Sequence, residues 1–274
     1  MTTLSLLLLS AAATTGEISS KRNLAYGPAE RQVLDLFSPE SDRPAPVVLW
    51  IHGGAWKFGD KSHLQSKPAW LTGEGWGLVA MNYRFVPTVT WREQAADVAA
   101  AIAWLQTHGA EEGLDPTRIV LMGHSAGAHL AALVANDLQY LTNAKADPGA
   151  ICGVVLVDGA GYDVPRQSKF ARGWLGNVYE DVFSNSPAEQ QAASPLTHVK
   201  PRGQWPEFLI LHCADRIASR EQAILLSTAL LKSGAKATVY SAEGKTHMTI
   251  NRELGAEEDL STKEIERFLG DLRD

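Results

Sequence analysis

The sequence predicts an α/β fold: a mostly parallel, eight-stranded open sheet with helices on both faces. Three observations carry this. Residues 47–51, 77–81 and 153–157 are short, continuous apolar runs, as strands covered on both sides must be. Segments with apolar residues at helical spacing alternate with such runs, the clearest being residues 91–106. Third, Gly123-His124-Ser125-Ala126-Gly127 stands between an apolar run at 118–122 and a stretch of small and apolar residues at 128–135. Strand, Gly-x-Ser-x-Gly, helix is the context in which a serine is lifted clear of a sheet on a sharp turn.

The elements follow in order. Residues 21–26 and 32–37 read as two strands joined through Gly27-Pro28, the start of a β-meander, and 42–46 as a loop. Strands at 47–51 and 77–81 come next. The helix at 91–106 places Ala95, Val98, Ala99 and Ile102 on one face. After the serine turn and its helix, a buried strand at 153–157 ends at Asp158, and another at 207–213 runs to Asp215. A helix at 222–232 and a last strand at 237–240 follow. Ser261-x-x-Glu264 reads as a capping box opening a final helix with Ile265, Phe268, Leu269 and Leu272 on one face. Residues 1–20 read as a leader or signal segment and 21–274 as one domain, with an insertion around 159–206 that carries Tyr162, Trp174, Tyr179 and Phe183 over the site.

Composition narrows the function classes. The chain has 274 residues, 45% hydrophobic and 20% charged, enough for one large domain with a substantial core. Its net charge of −6 and the absence of a Lys/Arg cluster give no footprint for nucleic-acid binding. Residues 4–13 form an apolar run ending in three alanines, similar to a signal-peptide core but with no preceding Lys or Arg. This favours a secreted or periplasmic location over a cytoplasmic one, and the run is too short for a membrane span. Cys152 and Cys213 fall near opposite ends of their strands, which sets two packed thiols rather than a disulfide. No metal-ligand spacing or nucleotide motif is present, so neither metal nor cofactor is implied.

Four features make a catalytic constellation. Ser125 is the candidate nucleophile. His52-Gly53-Gly54-Ala55-Trp56 follows a buried strand, and a Gly-Gly turn there can aim backbone N–H groups at a developing oxyanion. Gly54 and Ala55, with Ala126, are the candidate donors; which of Gly53, Gly54 and Ala55 face inward is open at this level. Asp215 and Asp158 compete for the acid that orients a histidine; Asp215 ranks ahead because a helix beginning near Ser219 follows it. His247 follows the last strand and is the candidate base. Ser125, Asp215, His247 is the Ser…Asp…His chain order. Trp56 and Phe58, just past the oxyanion turn, are candidate substrate-binding walls, and His129 reads as a packed helix residue.

At these residues the chain resembles the α/β-hydrolase superfamily. The closer likeness is to small carboxylesterases related to feruloyl and acetylxylan esterases and to kynurenine formamidase, in the hormone-sensitive-lipase-like group. The residues that carry it are His52 to Trp56, Gly59-Asp60-Lys61, Asn82-Tyr83-Arg84, Gly123 to His129, Ala193-Ser194-Pro195 and Gly244-Lys245-Thr246-His247. One departure is Ala55, where the third glycine of the hormone-sensitive-lipase pattern would stand. The resemblance implies the α/β-hydrolase fold and a serine carboxylesterase acting on a small-molecule ester through an acyl-enzyme, with Ser125, Asp215 and His247 as the triad. Crowding by Trp56 and Phe58 predicts short acyl groups. The alternatives are an arylformamidase or other amide hydrolase with the same triad, and a catalytically silent hydrolase fold used for binding. The intact triad speaks against silence.

Overall fold

The computed structural model describes residues 18–273, so the apolar run at 4–13 lies outside the described residues. Eight strands form one sheet: β1 (Ser19–Ala25), β2 (Val33–Ser38), β3 (Ala45–Ile51), β4 (Gly77–Met81), β5 (Leu114–His124), β6 (Ile151–Val157), β7 (Glu207–Cys213) and β8 (Ala237–Ala242). Their spatial order is β1-β2-β4-β3-β5-β6-β7-β8. The meander strands β1 and β2 pair antiparallel, β2 joins β4 antiparallel, and every pairing from β4 to β8 is parallel.

Both faces of the middle strands are buried, which is why their sequences are continuously apolar instead of alternating. Val47, Leu49 and Ile51 of β3 pack into one core layer with Ile119 and Leu121 of β5. Val48 and Trp50 pack into the opposite layer with Val120 and Met122. The first layer is covered by α2 (Trp91–His108), α3 (Ala126–Asn136) and α8 (Ile217–Lys232), the second by α1 (Lys67–Gly73) and α10 (Leu260–Asp271). Short helices α4 (Gln139–Ala144) and α9 (Thr249–Arg252) complete the layers. The stretch at 159–206 forms α5 (Val164–Phe170), α6 (Gly173–Phe183) and α7 (Pro187–Ala192).

Local chemistry explains the helix starts, with one correction. Thr90 and Glu93 form a reciprocal capping box on α2. The final helix starts two residues earlier than Ser261-x-x-Glu264 suggests. Asp259 is its cap and accepts from Thr262 N–H, while Ser261 is buried inside the first turn. The helix after β7 likewise begins at Ile217, not in the 219–222 region. Cys152 and Cys213 are both free, and neighbouring parallel strands carry them at opposite ends. Among the described residues no helix is long and apolar enough to cross a membrane.

Candidate active site

Parallel strands place all their C-terminal ends on one edge, and the register sets which residues meet there. His124 at the end of β5 pairs with Val157 of β6, and Val157 pairs with Leu211 of β7. One residue further along, Ser125 and Asp158 therefore stand in the same row, next to each other. In that row β7 is still at His212, since Asp158 N–H donates to the Leu211 carbonyl. Asp215 comes three residues later.

Ser125 has φ 55° and ψ −118°, and its N–H is fixed by the Val157 carbonyl. The turn closes only because its flanks are small. A Cβ on Gly127 would lie 2.0 Å from the Ile51 carbonyl oxygen, and one on Gly123 would lie 2.4 Å from Gly127 backbone. Ala55, Trp56 and Asp158 also have positive φ, at 51°, 60° and 45°. Such conformations cost about 1–3 kcal/mol each and cluster where a site dictates the backbone.

His247, in the loop after β8, bridges the row. Its Nε2 lies 3.0 Å from Ser125 Oγ and its Nδ1 2.6 Å from Asp158 Oδ2. Asp158 is fully buried at the tip of β6. Burial opposes its ionisation, but the hydrogen bond from His247, the charge of Arg216 and donors from Ser219 Oγ and Cys213 N–H outweigh it. They hold the carboxyl well below the usual carboxylate range. An ionised carboxylate only accepts, so Nδ1 of His247 carries the proton and Nε2 offers its lone pair to Ser125.

Asp215 is not part of this arrangement. It is exposed in the tight turn closed by Arg216 N–H to the Cys213 carbonyl, and it lines no part of the cavity above Ser125. The sequence ranking of the two acids is thus reversed. The strand-tip position that looks most exposed to the site overshoots the row by three residues, whereas Asp158 lies in it. Arg216, which sequence reasoning passed over, turns inward instead and donates through Nη1 to Asp158 Oδ2.

The turn at His52 to Trp56 is buttressed from below. Tyr83 stacks on His52 with 4.4 Å between ring centroids and donates to the His52 carbonyl. Gln94 of α2 donates to the carbonyls of both Trp56 and Arg84, and Asp97 holds the Arg84 guanidinium. This is what Asn82-Tyr83-Arg84 does: it fixes the far side of the turn. The backbone N–H groups of Gly54, Ala55 and Ala126 have no acceptor among the described residues, and all three residues line the cavity.

Three histidines near the site are structural. Burial pushes His52 and His129 down to about 4 and His124 to about 3, so all are neutral near pH 7. His129 accepts from Trp56 Nε1–H and donates through Nε2 to the Ala193 carbonyl, which ties the turn at His52 to Trp56 to Ala193-Ser194-Pro195. His124 lies against the His247 ring, centroids 4.6 Å apart, and bonds the His247 carbonyl.

The cavity above Ser125 has a volume of about 720 Å³. Trp56 lines it but is 4% exposed, held edge-on against His129, Tyr179 and Phe183, so it is as much core as wall. Phe58 is half exposed and stacks on the exposed Trp174 of α6, forming a rim. Tyr162 is fully buried and does not line this cavity.

The chain is 29% identical to esterase LipQ of Mycobacterium tuberculosis over 90% of its length and 61% of that protein's. It is also 29% identical to kynurenine formamidase of Danio rerio, over 90% of this chain and 81% of that one. The chain spans about half to three-fifths of the length of the first curated relatives it matches. Among solved structures, a truncated carbohydrate esterase from gut microbiota superposes with a TM-score of 0.78 at 24% identity, covering 95% of this chain and 98% of that one. The BD-FAE family model matches residues 34–230, and with an eight-stranded sheet of this order the chain belongs to the BD-FAE family and has the α/β-hydrolase fold.

Proposed function

We propose that the protein is a serine carboxylesterase that hydrolyses short-acyl esters through an acyl-enzyme. The observation that carries this is the unbroken relay from Ser125 Oγ through His247 to the buried Asp158 carboxylate, at the floor of a cavity lined by unpaired backbone N–H groups. Ser125 Oγ attacks the ester carbonyl carbon while His247 Nε2 takes its proton. The carbonyl oxygen, now anionic, accepts from Ala126 and from Gly54 or Ala55 N–H. Collapse expels the alkoxide, which leaves as the alcohol with the proton from His247. Water then attacks the acyl-serine, giving its proton to the same nitrogen; the second tetrahedral intermediate collapses, the bond to Ser125 Oγ breaks, His247 returns the proton to Oγ, and the carboxylic acid departs. Asp158 keeps His247 in the productive tautomer and stabilises its cationic form throughout.

Supporting the esterase reading is the likeness to LipQ over 90% of the chain. A second reading, hydrolysis of an N-acyl or N-formyl amide by the same residues, is favoured by the equally long match to a kynurenine formamidase. Short acyl groups are expected because the wall after the oxyanion turn is Trp56, pinned by three aromatic edges and unable to swing away.

Two measurements test this. A serine-directed phosphonate should add its mass at Ser125 and abolish turnover; no adduct there would sink the nucleophile and leave a binding module. kcat/KM for acetyl, butyryl, hexanoyl and octanoyl esters of one alcohol, beside an N-formyl arylamine, should peak at butyryl or shorter. An octanoyl optimum refutes the short-acyl reading, and a formamide preferred over every ester refutes the esterase reading.

A further inference from the structure

Arg216 has a place in the site that the relay does not use up. Its Nη1 is anchored by the buried Asp158 carboxylate and lies 2.6 Å from His247 Nδ1. The guanidinium therefore sits on the far edge of the imidazole from Ser125, one ring's width from the reacting centre. Its side chain is 35% exposed and lines the cavity. Among the described residues, Nε and Nη2 of Arg216 have no acceptor.

The other charges on the cavity wall sharpen this. Two carboxylates line it, and both are committed. Asp158 takes four donors, while Asp60 accepts from Asn82 Nδ2 and Ser62 N–H. The second cation, Arg252, is 63% exposed and has only a 3.6 Å contact to Glu253. The arginine charges on the cavity wall are thus not matched by a free carboxylate there, within a chain of net charge −6. A fixed guanidinium presents parallel N–H groups that match a carboxylate edge to edge. Anchoring at Nη1 lowers the ordering cost of that match, because the side chain is already held in one rotamer.

The side of the ester is fixed by mechanism. His247 delivers its proton to the leaving oxygen, so the alcohol portion begins beside the imidazole ring whose opposite edge meets Arg216. Resting on the esterase reading, we infer that Arg216 selects esters whose alcohol portion bears a carboxylate a few bonds beyond the ester oxygen. The natural substrate is then an O-acylated hydroxy acid, and the alcohol product a hydroxycarboxylate. The reaction that supplies it must be an acyl transfer onto a hydroxy acid.

The test uses pairs that differ only in that charge: the acetyl esters of glycolate, β-hydroxypropionate and γ-hydroxybutyrate, each against its carboxamide. Rates are normalised to hydroxide-catalysed hydrolysis of the same compounds. The wild-type kcat/KM should favour the carboxylate at the best tether by about tenfold or more, the size of one charge-assisted hydrogen-bonded pair. Arg216→Met should bring that ratio to one or below, and Arg252→Met should leave most of it. A wild-type ratio at or below one at every tether overturns the inference, and so does a preference that survives Arg216→Met. Because the ratio is read in the wild type, a poorly folding variant does not blunt the test. Turnover of the carboxamides reports separately on the esterase reading, which stands if they are cleaved without any preference for charge.

Discussion

Asp158 Oδ2 lies 2.6 Å from Nδ1 of His247, and the two residues are 89 positions apart in the chain. The contact is made by strand register: β6 ends in the row where Ser125 leaves β5, and the loop after β8 brings His247 over both. Its first consequence is a mutational ranking. Asp158→Asn should lower kcat by about 10²–10⁴, because an amide can donate to Nδ1 and favour the wrong tautomer. Asp215→Asn, in an exposed turn, should leave kcat within about threefold, surface changes away from a site being near neutral. Steady-state kinetics on both decide it, and equal losses would break the assignment.

Ser125→Ala should cost about 10³-fold or more in turnover while the fold is kept. The measurement is single-turnover kinetics beside a thermal melt. Retention of a tenth of the activity at unchanged stability would remove Ser125 from the mechanism.

The pH profile should be simple in the acid range. His52, His124 and His129 are held neutral by burial, at about 4, 3 and 4, and Asp158 stays ionised. None of these four groups therefore adds a step to the profile in the range of about pH 5–8. log(kcat/KM) should rise with a slope of one, not two, and His124→Gln should not change that slope. A slope of two would mean a second titrating group in the site.

Gly127→Ala should be strongly destabilising. Its Cβ would meet the Ile51 carbonyl at 2.0 Å and the His52 carbonyl at 2.6 Å, and neither backbone can yield without opening the elbow. Overpacking costs about 1–3 kcal/mol where side chains can adjust, and this site should reach at least that. Gly270→Ala, in α10 with nothing within 4 Å of its Cβ, should instead be neutral or stabilising by up to about 1 kcal/mol. Urea unfolding of the pair checks the contrast.

Lys67 is wholly buried, its Nζ bonded to the Asn251 carbonyl and facing the Trp50 ring. Burial pushes its pKa down to about 7. Between that value and the ordinary lysine value near ~10.4, the unfolded chain binds a proton that the folded chain does not. Stability should therefore climb with pH across this window, and the penalty should be fully present below it. Lys67→Met should be most stabilising, relative to wild type, near pH 6, with the difference shrinking by pH 9. A difference that is constant with pH would mean the lysine is charged in the folded protein.

The sequence by itself determined the sheet, the elbow and two of the three relay residues. Short continuous apolar runs bounded by turn residues fit strands covered on both faces, and strand, Gly-x-Ser-x-Gly, helix is a contiguous pattern. These are local signals, legible residue by residue. The acid was not, because Asp158 and Asp215 both stand just past a strand with the same local chemistry. What separates them is how far each strand extends relative to its neighbour, a property of pairing between segments more than fifty residues apart. The same holds for the interior position of Arg216, the cap at Asp259 and the burial of Trp56, which depend on the packing of distant segments. Only the tertiary structure decided them, since a side chain's direction at a strand tip follows from register and turn closure, which residue type alone does not encode.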